Sequence, residues 1–195
     1  MTQKTYFKKI AIVGKIASGK SYFLATLKNL GYHTINLDEY ISNLYQKDVN
    51  LIALLKNQIG DFLIKNNQIS KNILKKWLFE DLKHIDVFEK VLYPYLKQKL
   101  QQETYDFIEI PVLNTINEDF SVLFDEVWNL TICPKKRKEF VNLRFGENLE
   151  FKKLDRLNNY KWNKNELFRG LKVVNIPMRS RDNTEKIIKI LEKLK

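Results

Sequence analysis

One stretch restricts the possible folds more than any other. Ile10 to Ser21 reads IAIVGKIASGKS. The apolar run Ile10-Ala11-Ile12-Val13 is aliphatic and largely β-branched, which suits a strand buried on both faces of a parallel sheet. It breaks at Gly14, and Gly19, Lys20 and Ser21 complete a G-x-x-x-x-G-K-[ST] pattern ahead of a helical segment. Gly14 and Gly19 permit backbone conformations that a Cβ forbids, so successive N–H groups can converge on an anion at the start of that helix. Gly14, Lys15, Ile16, Ala17, Ser18, Gly19, Lys20, Ser21 and the adjoining Tyr22 are therefore predicted to hold a nucleoside triphosphate. Lys20 is expected to reach the β- and γ-phosphates, and the Ser21 hydroxyl to ligate Mg²⁺. Phe23, Leu27 and Leu30 supply the buried stripe of the helix, and Gly31 closes it.

Downstream, Tyr32 to Glu39 reads as a second strand ending in acids. Its carboxyl end presents Asp38, which could accept a proton from a substrate hydroxyl or cap the next helix. From Asp48 to about Gln102 the apolar residues recur at helical spacing, punctuated by Gly60-Asp61 and Tyr93-Pro94. These helices are expected to pack as core and to cover an acceptor substrate. Tyr105 to Leu113 reads as a third strand, where Glu109 is an acid in an otherwise apolar run. An acid there is costly unless paired, which points to a Mg²⁺ ligand at the strand end. Val127 to Cys133 and Leu171 to Ile176 read as the fourth and fifth strands, and a last helix carries Ile187, Ile188, Leu191 and Leu194. The expected fold is α/β, three-layered, with a five-stranded parallel sheet in a single phosphate-loop NTPase domain. Its core spans about 6–45, 105–134 and 170–195, a helical region about 46–104, and a basic segment, a lid by the resemblance given below, about 135–169.

Charge is the compositional feature that bears on partners. The chain carries a net +11, and Pro134 to Lys195 holds 18 Lys and Arg against 8 Asp and Glu. An anionic partner is expected, beside a Lys- and Asn-rich compositional bias that accounts for about half of the excess; ATP with a phosphate-rich small substrate needs the same sign of field as nucleic acid. Nucleic acid is ranked behind the small molecules, because no aromatic residues interleave with the basic ones in a sheet motif. No apolar stretch reaches membrane-spanning length, and Met1 to Lys9 lacks a signal-peptide core, so a cytoplasmic protein without membrane partners is expected. The one cysteine, Cys133, ends an apolar run and reads as a buried small side chain, while His33 and His84 read as structural or surface residues.

Together these residues resemble the dephospho-coenzyme A kinase family. Ala17-Ser18-Gly19-Lys20-Ser21 parallels the family's Gly-Ser-Gly-Lys-Ser, and Gly31 with Asn36-Leu37-Asp38 parallels a Gly followed by Asp-x-Asp. Tyr93-Pro94 stands where the family has His-Pro, and Pro111 to Thr115 where it has Pro-Leu-Leu-aromatic-Glu. Pro134 to Arg144 stands where it has Pro-x-x-Gln-x-x-Arg-x-x-x-Arg. Asn36, Tyr93 and Phe140 thus replace an acid, an imidazole and a guanidinium. The resemblance implies ATP-dependent phosphorylation of the ribose 3′-hydroxyl of dephospho-coenzyme A with Mg²⁺. It implies Asp38 beside the acceptor hydroxyl, Arg144 in the lid over the transferring phosphoryl group, and Asn175 near the adenine. A nucleoside or nucleoside monophosphate is the alternative acceptor, and a nucleotide-binding protein with weak or no turnover the alternative outcome.

Overall fold

The aliphatic run forms strand β1 (Ile10–Val13), buried at every residue, as a strand with no polar face requires. The computed structural model describes residues 8–145 and 167–192. After β1 come α1 (Lys20–Asn29), β2 (Thr34–Asn36), α2 (Leu37–Lys47), α3 (Val49–Gln58), the short strands β3 (Ile64–Lys65) and β4 (Gln68–Ile69), α4 (Lys71–Glu80) and α5 (Leu82–Gln102). They are followed by β5 (Phe107–Glu109), β6 (Glu126–Thr131), α6 (Pro134–Phe145), β7 (Leu167–Phe168), β8 (Leu171–Pro177) and α7 (Thr184–Leu191). The chain forms two compact units, one of Met1–Asn36, Tyr105–Val112 and Phe124–Lys195, the other of Leu37–Thr104 and Leu113–Leu123.

The first unit is built on a sheet of order β2-β5-β1-β6-β8-β7. Five strands run parallel as expected, and β7 adds an antiparallel edge against β8 that the sequence reading lacked. The connecting turn holds Arg169 at φ 49 and Gly170 at φ 86, the positive pair of a two-residue hairpin. Ile10, Ile12, Phe107, Trp128, Leu130 and Ile176 share one core with Phe23, Leu24 and Leu27 of α1 and Ile187 and Leu191 of α7. From β1 the chain moves out to β2, returns to β5 beside β1, then continues at β6 on the other side. The order reverses at β1, and the strand ends at such a reversal form the ligand crevice of an open α/β sheet.

The second unit packs α2–α5 around Tyr45, Leu51, Leu55, Leu63, Ile69, Leu74, Phe88 and Leu92. Two expectations fail here. The helical run is interrupted by the β3–β4 hairpin, whose turn residues Asn66 and Asn67 sit at φ 52 and 59; asparagine tolerates that left-handed region. Pro94 does not end a helix, since α5, 21 residues long, continues through it to Gln102. Its ring lies on the exposed side, where water can satisfy the carbonyl that loses its N–H partner. His84 stacks on Trp77 at 4.3 Å and 10°, a structural role. Among the described residues no helix is long and apolar enough to cross a membrane.

Candidate active site

Between β1 and α1 the loop turns on positive φ at Gly14 (147°), Ala17 (62°) and Gly19 (85°). A Cβ on Gly14 would stand 2.7 Å from the Leu130 carbonyl oxygen and 2.8 Å from Ser18 Oγ, so the β6 backbone can approach only because residue 14 is glycine. Ala17 accepts a left-handed conformation that costs a non-glycine residue about 1 kcal/mol.

Helix α1 begins differently from its neighbours. Helices α3, α4, α5 and α7 are capped by the side chains of Asp48, Ser70, Asp81 and Asn183. α1 has Gly19 at its N-cap, no side-chain cap and no acid in its first turn. The first amides of a helix have no partner within it, and its macrodipole places positive potential there, so this end is suited to a phosphate group.

Lys20 sits at that end with its side chain largely enclosed. Its Nζ donates to the Gly14 carbonyl at 3.0 Å and lies 3.7 Å from Glu109 Oε1. Glu109 is the last residue of β5, in register with Ile12 on one side and Asn36 on the other. Asn36 Nδ2 donates to Glu109 Oε2 at 2.9 Å. At residue 36, where the resemblance leads one to expect an acid, the amide binds the neighbouring carboxylate, which a second carboxylate would repel. Ser21 and Tyr22 are exposed in the first turn of α1, Lys15 is exposed, and Ile16 and Ala17 are half-buried.

Two guanidinium groups that pattern reading did not single out hold the loop from behind. Arg137 of α6 is buried and its Nε donates to the Ile16 carbonyl at 3.0 Å. Arg181, which follows the short turn after β8, is 3% exposed and its Nη2 donates to the Ser18 carbonyl at 2.6 Å. Lys135, Lys136 and Lys138, the neighbours of Arg137, are exposed. Nothing in a strongly basic segment marks which cation the fold will bury. Asn175 lies on β8 opposite Asn129, whose Nδ2 donates to Asn175 Oδ1 at 2.8 Å.

Asp38 is found not at a strand end but in the first turn of α2, because the helix starts at Leu37 directly after β2. It is exposed, in an open depression that it lines with Glu39, Ser42 and Asn43. Arg144 belongs to the last turn of α6; its side chain, and residues 146–166 of the expected lid, lie outside the described residues. Cys133 corrects an expectation: β6 ends at Thr131, and the thiol is exposed rather than buried.

A central parallel strand, a glycine loop and an uncapped helix bearing the Lys-Ser pair define a phosphate-loop protein. A solved shikimate kinase from Bacteroides thetaiotaomicron shares the fold, at TM-score 0.52 and 13% identity over 97% of this chain and 98% of its own. The chain belongs to the dephospho-CoA kinase family, whose sequence profile matches residues 8–151. A dephospho-CoA kinase from Protochlamydia amoebophila is 29% identical over 139 residues, 66% of this chain and 68% of that one. The dephospho-CoA kinase structure from Campylobacter jejuni superimposes with TM-score 0.59 at 16% identity, covering 96% of this chain and 97% of that chain. Members of this family are kinases that transfer a phosphoryl group from ATP to dephospho-CoA in coenzyme A biosynthesis.

Proposed function

We propose that this chain moves the γ-phosphoryl group of ATP onto the ribose 3′-hydroxyl of dephospho-CoA, and that residues 14–22, Asp38, Glu109, Arg144 and Asn175 carry the reaction. The uncapped start of α1 behind the glycine loop is the observation that carries this reading. Loop amides from Gly14 to Ser21 hold the triphosphate, and the Lys20 ammonium offsets charge on the transferring group. Asn175 lies toward the adenine. Asp38 orients the acceptor hydroxyl and takes its proton as the new P–O bond forms and the bond to the leaving ADP breaks. Arg144 closes over the transferring group.

The donor set suits Mg²⁺: one hydroxyl, Ser21, and one carboxylate, Glu109, are hard oxygens of the kind that ion takes together with phosphate and water. Held by Ser21 and Glu109, Mg²⁺ would supply positive charge against the negative charge that develops on the transferring group. Asn36 keeps Glu109 turned toward Lys20, which sets the direction of that carboxylate. Because the transition state is loose, positioning and charge stabilisation supply most of the acceleration. A cytoplasmic location accords with a reaction that draws on the cell's ATP.

The test is ADP production with dephospho-CoA beside a panel of nucleosides and nucleoside monophosphates. Turnover with dephospho-CoA alone is expected. Turnover only with a nucleoside or nucleotide acceptor refutes the acceptor, and no turnover with calorimetrically silent ATP refutes the reading as a whole.

A further inference from the structure

Arg181 is almost wholly enclosed, at 3% exposure, in the α/β unit. Its guanidinium spends its donors on the main chain: Nε reaches the Ile176 carbonyl at 3.3 Å, and Nη2 reaches those of Ser18 at 2.6 Å and Thr131 at 3.1 Å. These three acceptors belong to the phosphate loop, the end of β6 and the end of β8. The remaining terminal nitrogen, Nη1, stands 3.1 Å from where a Cβ would project at Gly19. Among the described residues no carboxylate is its partner, and burial pushes its pKa down to about 10. A cation taken out of water without a counter-ion is costly, and carbonyl dipoles compensate only part of that cost. The chemistry of the site supplies the missing charge if the adjoining loop holds a polyphosphate.

The geometry of one peptide gives the arrangement its consequence. In a trans peptide the carbonyl and the following N–H point in opposite directions. Fixing the Ser18 carbonyl on Arg181 therefore fixes the Gly19 N–H on the far side, away from the guanidinium. The Ser18 hydroxyl beside this peptide is buried and has no hydrogen-bond partner among the described residues, so the Arg181 contact to the carbonyl is the side-chain contact that orients the peptide.

We propose that Arg181 is a positioning residue for the nucleotide's phosphates, acting through the Ser18–Gly19 peptide, whose amide it aims, and adding a buried positive charge behind the loop. The inference rests on the loop being the ATP site. It goes beyond that reading in assigning a role to a residue outside the loop pattern, one that touches no substrate.

Two variants separate this role from a purely structural staple. Arg181→Gln keeps a donor and removes the charge; Arg181→Lys keeps the charge, but one ammonium cannot span three carbonyls. Calorimetry with ADP and steady-state kinetics in both substrates are the readouts. For Arg181→Gln, the Kd for ADP and the KM for ATP are expected to rise about tenfold or more, with the KM for dephospho-CoA within about twofold. Arg181→Lys is expected to lie between, at about threefold in ATP alone. Wild-type ATP affinity in Arg181→Gln, or an equal loss toward both substrates, overturns the inference. Should Arg181→Gln fail to fold, an unchanged KM for ATP in Arg181→Lys overturns it just as well, and a selective rise supports it. A wild-type chain that binds no ADP overturns the nucleotide reading and this inference with it, whereas an unaffected variant of an ADP-binding wild type overturns the inference alone.

Discussion

The two units bury different kinds of side chain. Among the described residues, the α/β unit encloses Ser18, Thr26, Glu126, Asn129, Arg137 and Arg181, whereas the helical unit encloses only Ser121 among its polar residues. Ser18, Arg137 and Arg181 belong to the phosphate loop or hold its carbonyls. Glu126 serves differently, pairing with Lys8 at 2.6 Å and accepting from Trp128 Nε1 at 3.2 Å. The helical unit caps α3, α4 and α5 with Asp48, Ser70 and Asp81 and fills its centre with aliphatic and aromatic groups. Desolvated polar groups cost stability unless they are paired. A unit that gathers three of them at one loop is arranged for binding there, and a unit that avoids them is arranged for packing.

That contrast can be broken by substitution. Lys20→Ala is expected to lower turnover about 10³-fold, worth about 4 kcal/mol, while moving the thermal midpoint by only a few degrees. Steady-state phosphoryl transfer and a melt on the same sample decide it, and a collapse of the melt with activity per folded molecule intact would reverse the assignment. Leu55→Ala, at a fully buried position of the helical unit, should do the opposite. A loss of about 3 kcal/mol in denaturant unfolding is expected, with ADP affinity unchanged. Asp38→Ala should cut kcat about 10²-fold without destabilising the chain, since the carboxyl is exposed. Near-normal turnover in that variant removes Asp38 from the mechanism.

The smallest effect concerns acid. Burial by itself raises the Asp48 carboxyl pKa, but Lys99 at 2.8 Å, the Leu51 amide and the Tyr95 hydroxyl outweigh it and hold the carboxyl below its ordinary range. A carboxyl with a lower pKa folded than unfolded stabilises the fold above about pH 4, and the contribution vanishes as pH falls through the folded-state value. Asp48→Ala should cost about 1 kcal/mol at neutral pH through the lost cap, and should flatten the acid limb of an unfolding-versus-pH curve. An unchanged acid limb would show that other carboxyls dominate it.

Local pattern carried much of this. The strand, the two glycines and the Lys-Ser pair of residues 10–21 were legible because each answers to a constraint within a dozen residues of chain: period, φ, or an amide left without a partner. The parallel strands were legible for the same reason. What escaped depended on neighbours remote in sequence. Arg181 meets Ser18 across 163 residues and Arg137 meets Ile16 across 121, and no spacing rule links them. The start of α2 at Leu37, which moved Asp38 from a strand end into a helix, and the exposure of Cys133 followed from where strand pairing stops.

The sequence by itself determined that a phosphate-binding turn follows a buried strand, because backbone conformation and hydrophobic period are written in adjacent residues. Only the tertiary structure decided which cations sit behind that turn and that Asn36 pairs with Glu109. Those choices are made by register and burial, and both depend on the whole sheet.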